Sequence, residues 1–181
     1  FEALLDSEWS KIVNDNPVYA SSMGDLSQNT KWSDTSVEKI YSDHQGQLAV
    51  LNQLDELDIS DFTEENKVNY LLFKQQYENS IESHAYKTFL IPFSHRGGIQ
   101  LQHETTSIVP LRNKQHYLDW IERISKIDVL VDAAIEKAKI GIAEEIVPPR
   151  FLMQKVYKQI ELQAFVEPKD SPFYRAFLEM D

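Results

Sequence analysis

Residues 92–110 read PFSHRGGIQLQHETTSIVP. Here the helical spacing of apolar residues, sustained on both sides, stops. Pro92 and Pro110 bracket the stretch, Gly97-Gly98 loosens its backbone, and Ile99, Gln100, Leu101 and Gln102 alternate apolar with polar, the period of a short extended segment. A chain whose other long stretches are helical, and whose main break is this short, has little material for a sheet. The expected fold is therefore all-α: an antiparallel helical bundle of about five to seven helices, with one irregular or short extended crossover around residues 92–110.

Working back from Pro92, Val68, Leu71, Leu72, Phe73, Tyr77 and Ile81 cover more than one stripe of a long helix, which predicts contacts on several of its sides. Asp61, with Thr63 or Glu64, caps its start. Before it, Thr35 with Glu38 reads as a capping box opening a second long helix along Val37, Ile40, Tyr41, Leu48, Leu51, Leu54 and Leu57. The short connection at Ile59-Ser60-Asp61 makes the two antiparallel neighbours. His44 falls on the apolar stripe as a core-edge residue, and His84 is placed to oppose the negative end of the helix dipole. The opening helix carries Phe1, Leu4, Leu5, Ile12 and Val13 and stops by Asn16, because Pro17 disfavours helical geometry before it. Pro17 to Gly24 then reads as a short helical turn, closed by a glycine with positive φ.

Working forward from Pro110, Tyr117, Trp120, Ile121, Ile124, Ile127, Val131, Ile135 and Ala138 keep spacings of three and four. They predict one helix from Asn113 to Ile140, with Gly141 as its stop. Pro148-Pro149 leads into a further helix along Phe151, Leu152, Met153, Val156, Tyr157 and Ile160. Ser171-Pro172 caps a last helix from Phe173 to Met180.

Composition limits the function classes. The 181 residues carry 42% hydrophobic residues and a net charge of −11, so a packed domain is expected over residues 1–181 and nucleic acid is excluded as a partner. No apolar run approaches the ~20 residues that span a bilayer. The chain has no cysteine, which removes disulfides, thiolate ligands and cysteine nucleophiles together.

The chemistry-bearing residues concentrate in residues 92–110. His103-Glu104-Thr105-Thr106-Ser107 is the first half of an H-E-x-x-H zinc signature, but a serine stands where the second imidazole is required. No catalytic residue and no metal ligand is assigned. Gly97-Gly98 leaves the backbone able to lie close to another chain, and Arg96 or His95 can meet a carboxylate. The candidate substrate-binding residues are His95, Arg96, Gly97, Gly98 and His103.

Four segments occur in a recognisable order over nearly all of the chain. They are Asn16-Pro17-x-x-Ala20-x-x-x-Gly24-Asp25, Pro92 to Gly98, Tyr117 to Arg123, and Gly141 followed by Pro148-Pro149-Arg150. The pattern resembles the N-terminal region of the bacterial domain-of-unknown-function family 885. Members of that family are longer and resemble helical zinc metallopeptidases of the gluzincin type, with H-E-x-x-H in the C-terminal half. The resemblance implies that this chain is the N-terminal fragment of a zinc-dependent peptidase or carboxypeptidase-like protein, lacking the catalytic H-E-x-x-H segment and forming one wall of its substrate cleft. It implies no cofactor in the fragment itself and zinc in the full-length parent. Its implied partners are the C-terminal catalytic portion and a peptide substrate, and its implied parent is exported, periplasmic or lipid-anchored. The alternative is a self-contained acidic helical protein-interaction module without enzymatic activity.

Overall fold

The computed structural model describes residues 1–178. Its regular structure is helical: α1 (Glu2–Asp15), α2 (Pro17–Ser22), α3 (Val37–Asp55), α4 (Glu64–Ala85), α5 (Lys114–Ile124), α6 (Ile127–Ala143) and α7 (Arg150–Ala164). Four 3-10 segments, Thr88–Leu90, Ile99–Ser107, Pro168–Asp170 and Pro172–Phe177, join or follow them. Among the described residues the only β-type pairing is the isolated bridge between Ser94 and Gly97. No helix there is long and apolar enough to cross a membrane.

The longest helices, α3 and α4, pair antiparallel as their short connection requires. Their caps sit close to the predicted points: Ser36, one residue beyond Thr35, accepts from the Lys39 N–H at 3.2 Å, and Thr63 accepts from Asn66 at 3.2 Å. Each side-chain cap satisfies a first-turn N–H that has no partner inside its helix. Val50 and Leu54 of α3 meet Tyr70 and Tyr77 of α4 in the core, and Phe1, Leu4, Leu57, Ile59, Phe62 and Phe73 close around them. The Tyr70 hydroxyl donates to the Leu54 carbonyl at 3.1 Å, so burial leaves it satisfied. The predicted breadth of α4 contacts does not hold. Val68, Leu71 and Leu72 stand 54–61% exposed, and only the Tyr70–Phe73–Tyr77 face is covered.

Three other sequence expectations are corrected. The helix predicted from Asn113 to Ile140 is two, because the chain turns at Ser125-Lys126 while the apolar spacing runs through without a break. That turn resets the inward face of α6 to Leu130, Ala133, Ala134, Lys137 and Gly141 and leaves Ile135 at the surface. Gly141 does not end α6; it lies within the helix, where an added Cβ would stand 2.7 Å from the Leu90 carbonyl oxygen. The helix instead closes with Glu145 at φ 60° and a 2.8 Å bond from the Ile146 N–H to the Gly141 carbonyl. Finally, Ile99–Gln102 is not extended but opens the 3-10 segment Ile99–Ser107.

The last segment folds back onto the earlier helices, as a 3-10 helix from Pro172 with Ser171 as its cap. Phe173 stacks on Trp120, with centroids 6.4 Å apart, and Phe177 packs on Tyr117 at 5.8 Å. Met180, included in the predicted helix, lies outside the described residues.

Candidate functional site

Residues 92–98 form a tight loop between the Thr88–Leu90 turn and the Ile99–Ser107 segment. The Ser94 N–H donates to the Gly97 carbonyl at 3.0 Å, and the Gly97 N–H donates back at 3.3 Å. The two glycines differ in what holds them. Gly98 has φ 123°, and a Cβ there would meet the Gln100 side-chain oxygen at 2.8 Å and the Pro92 carbonyl at 2.9 Å, so the position needs glycine. Gly97 has no atom within 4 Å of a built Cβ, so its backbone borders open space. Arg96 is exposed beside it, with no ion pair among the described residues.

Glutamines that the sequence reading did not single out fix this loop. Gln100 is buried, and its side-chain amide donates to the Ser94 carbonyl at 2.6 Å and to the Gln159 side-chain oxygen at 3.2 Å. Gln159 on α7 donates to the His95 carbonyl at 3.1 Å. One turn further along α7, Gln163 donates to the Gln100 carbonyl and lies 3.4 Å from His103 Nδ1. With Gln100 held by the loop, Ile99–Gln102 forms a tight helical turn where the alternation suggested a short extended segment. The spacing of Gln159 and Gln163 by four puts both on one face of α7, which is the signal available in hindsight.

The five predicted site residues thus stay together. His95, Arg96, Gly97 and Gly98 form the loop, while His103, with Phe173 against its edge at 5.9 Å, is tied to it through α7. The ring of His95 is partly buried, and its Nδ1 has no hydrogen-bond partner among the described residues. His103 and Glu104 lie in a 3-10 segment, whose period of three does not bring i and i+4 to one face, as H-E-x-x-H ligation requires. Ser107 instead donates its hydroxyl to the Glu104 carbonyl at 2.7 Å. No group of three or more His, Asp or Glu side chains among the described residues is placed to hold a metal ion. The described side chains therefore do not assemble the three ligands of a zinc site.

A second polar centre ties α2 to α5. Arg123 is completely buried, and its Nη2 donates to Ser21 Oγ at 2.9 Å and to the Gln28 carbonyl at 3.4 Å. Its guanidinium carbon lies 5.7 Å from the centre of the Trp32 ring, whose N–H donates to the Arg123 carbonyl at 2.7 Å. Burial brings the guanidinium down to about 10, opposed by the charge of Asp119. Asp119 itself accepts from Asn29 at 2.8 Å. Burial raises its carboxyl and the hydrogen bonds from Asn29 and Gln115 lower it, for a net depression. Arg123 thus joins two segments that are 102 residues apart at Ser21.

The two tied segments, Pro17–Asp25 and Tyr117–Arg123, together with the Pro92–Gly98 loop and the Gly141–Arg150 connection, are local structures with specific steric or polar demands. Residues 17–181 match the model of a family described as bacterial protein of unknown function (DUF885). The chain belongs to that family. Comparison with curated proteins gives no match. In this DUF885 chain the matched span omits α1 and begins with α2, whose Pro17 and Ser21 meet the Arg123 side chain.

Proposed function

We propose that this DUF885 chain is the N-terminal helical part of a zinc-dependent peptidase or carboxypeptidase-like protein. It forms one wall of the substrate cleft, and the zinc and its catalytic helix belong to the C-terminal portion. The observation that carries the reading is the outer face of α7 and its end, where Phe151, Tyr157, Leu162 and Phe165 are 60–83% exposed. Large apolar side chains gathered on one element mark a surface that another body covers. The helix with this uncovered face also pins the Pro92–Gly98 loop through Gln159 and Gln163. A catalytic portion seated on α7 would have the loop at its border. There Gly97 would offer open backbone, and Arg96 a charge for the carboxylate of a peptide.

The test compares the chain with the product of its complete gene. The chain alone is expected to hold no stoichiometric zinc at pH 7 and to cleave no peptide. The complete product is expected to hold one zinc ion per chain and to lose peptide hydrolysis on chelation. Arg96→Ala in the complete product should raise KM and leave zinc content unchanged. Tight zinc binding by the chain alone, abolished by His103→Ala, overturns the proposal. The net charge of −11 favours a second reading, an acidic interaction module without activity. A complete product without zinc or hydrolysis would support it.

A further inference from the structure

The end of α4 carries a contact that the candidate site does not use. His44 of α3 and His84 of α4 stack face to face, with ring centroids 3.9 Å apart and planes inclined by 8°. His84 also stacks on Phe89 at 5.2 Å, and Tyr41 meets it edge-on at 5.4 Å. His44 Nδ1 is buried without a hydrogen-bond partner among the described residues. Phe89 belongs to the Thr88–Leu90 turn, whose Leu90 is buried at 3% exposure against Gly141 of α6. The stack therefore supports the start of the segment that runs into the Pro92–Gly98 loop.

Neutral imidazoles stack in this way at no electrostatic cost. Two imidazolium ions at the same separation repel, and each would need a carboxylate to compensate. Charged side chains on both sides of the stack pair with one another. Lys87, beside the stack, pairs with Glu144, which follows α6. Next to His44, Asp43 takes Lys39 at 2.5 Å and Lys11 of α1 at 3.7 Å, and Lys39 also takes Asp15 at 2.8 Å. Tyr41 offers the stack a phenol ring edge and no carboxylate.

We propose that the His44–His84 stack is a proton-operated latch, in which neutral rings clamp the end of α4 and the Thr88–Leu90 turn onto α3, and acidification releases the Tyr86–Gly98 segment. Burial, and then the charge of His44, hold His84 below the usual imidazole range, in agreement with this geometry. The folded value lies below the unfolded one. The contribution is complete above the unfolded pKa of about 6.5 and is lost as pH falls from there through the folded value. The latch stands independently of the peptidase reading.

The test is amide hydrogen exchange of the 181-residue chain at pH 7.5 and 5.5, corrected for intrinsic rates, with a histidine ring NMR titration alongside. Protection over residues 86–98 should fall at the lower pH, because the contribution of the neutral stack is lost as pH drops below the unfolded pKa. His44→Phe keeps a ring in the stack and replaces repulsion with a cation–π contact, so the fall should shrink to what the burial of His84 alone contributes. His84→Phe, which removes the other charge, should abolish it. The proposal fails if both imidazoles titrate near 6.5 in the wild type with unchanged protection. It fails equally if both variants lose protection as the wild type does. The ring titration needs no variant to fold.

Discussion

Alanine at Gly141 tests the packing of α6 because local and tertiary effects there have opposite signs. Inside a helix, glycine to alanine is favourable by about 1 kcal/mol. The structure predicts the reverse. A Cβ at Gly141 would lie 2.7 Å from the Leu90 carbonyl oxygen and 2.8 Å from that of Ile146. Both are backbone atoms, and both distances are about 0.5 Å short of the ~3.3 Å of a close carbon–oxygen contact. Relief requires α6 to back away from the Thr88–Leu90 turn and to strain the bond from the Ile146 N–H to the Gly141 carbonyl. Overpacking of this kind costs about 1–3 kcal/mol and a weakened hydrogen bond about 1 kcal/mol. Less the helical gain, the net destabilisation is about 1–3 kcal/mol, or a Tm lower by roughly 2–12 °C in a chain of this size. Urea and thermal unfolding followed by circular dichroism measure it, with Gly97→Ala as the control. At Gly97 the added methyl meets nothing within 4 Å. That substitution should leave stability unchanged or raise it by less than about 1 kcal/mol. A Gly141→Ala chain as stable as the wild type would refute the close approach.

Three further outcomes are expected. Arg123→Ala empties a fully buried site and strands its α2 contacts, at a cost of about 3–5 kcal/mol in urea unfolding, whereas Arg123→Met should recover part of that loss by refilling the volume. Tyr77→Phe removes the 2.5 Å hydrogen bond to Glu8 between α4 and α1 and should lower stability by about 1–2 kcal/mol in the same assay. Gln163→Ala removes the bond to the Gln100 carbonyl, so hydrogen exchange over residues 98–104 should accelerate while α3 and α4 keep their protection.

The helices were legible because their signals are local. Thr63, Asn113 and Ser171 cap helical segments where the sequence placed starts, and Pro17 and Pro149 stand where prolines begin or precede a helix. What escaped the sequence was decided across long separations. The α5–α6 turn is invisible to apolar spacing that continues through it, and the role of Gly141 depends on Leu90, 51 positions earlier in the chain. His84 near the end of α4 suggested a dipole partner, yet its ring finds His44 instead, and burial favours its neutral form. Within the candidate site the freed backbone was read for Gly97-Gly98 as a pair, and only Gly98 takes a positive φ that requires glycine. The glutamine bonds from α7 were not, because a polar residue on a helix face carries no mark of what it will reach.

The packing around Arg123 also gives the chain an optical signature. Trp120 is 2% exposed and meets Trp32 edge-on at 6.0 Å, with the guanidinium beside the Trp32 ring, while Trp9 on α1 is 49% exposed. Emission should therefore divide into a shielded, field-perturbed pair and one emitter open to solvent. A collisional quencher would extinguish Trp9 first, and the colour that remained would report whether α5 is still seated on α2.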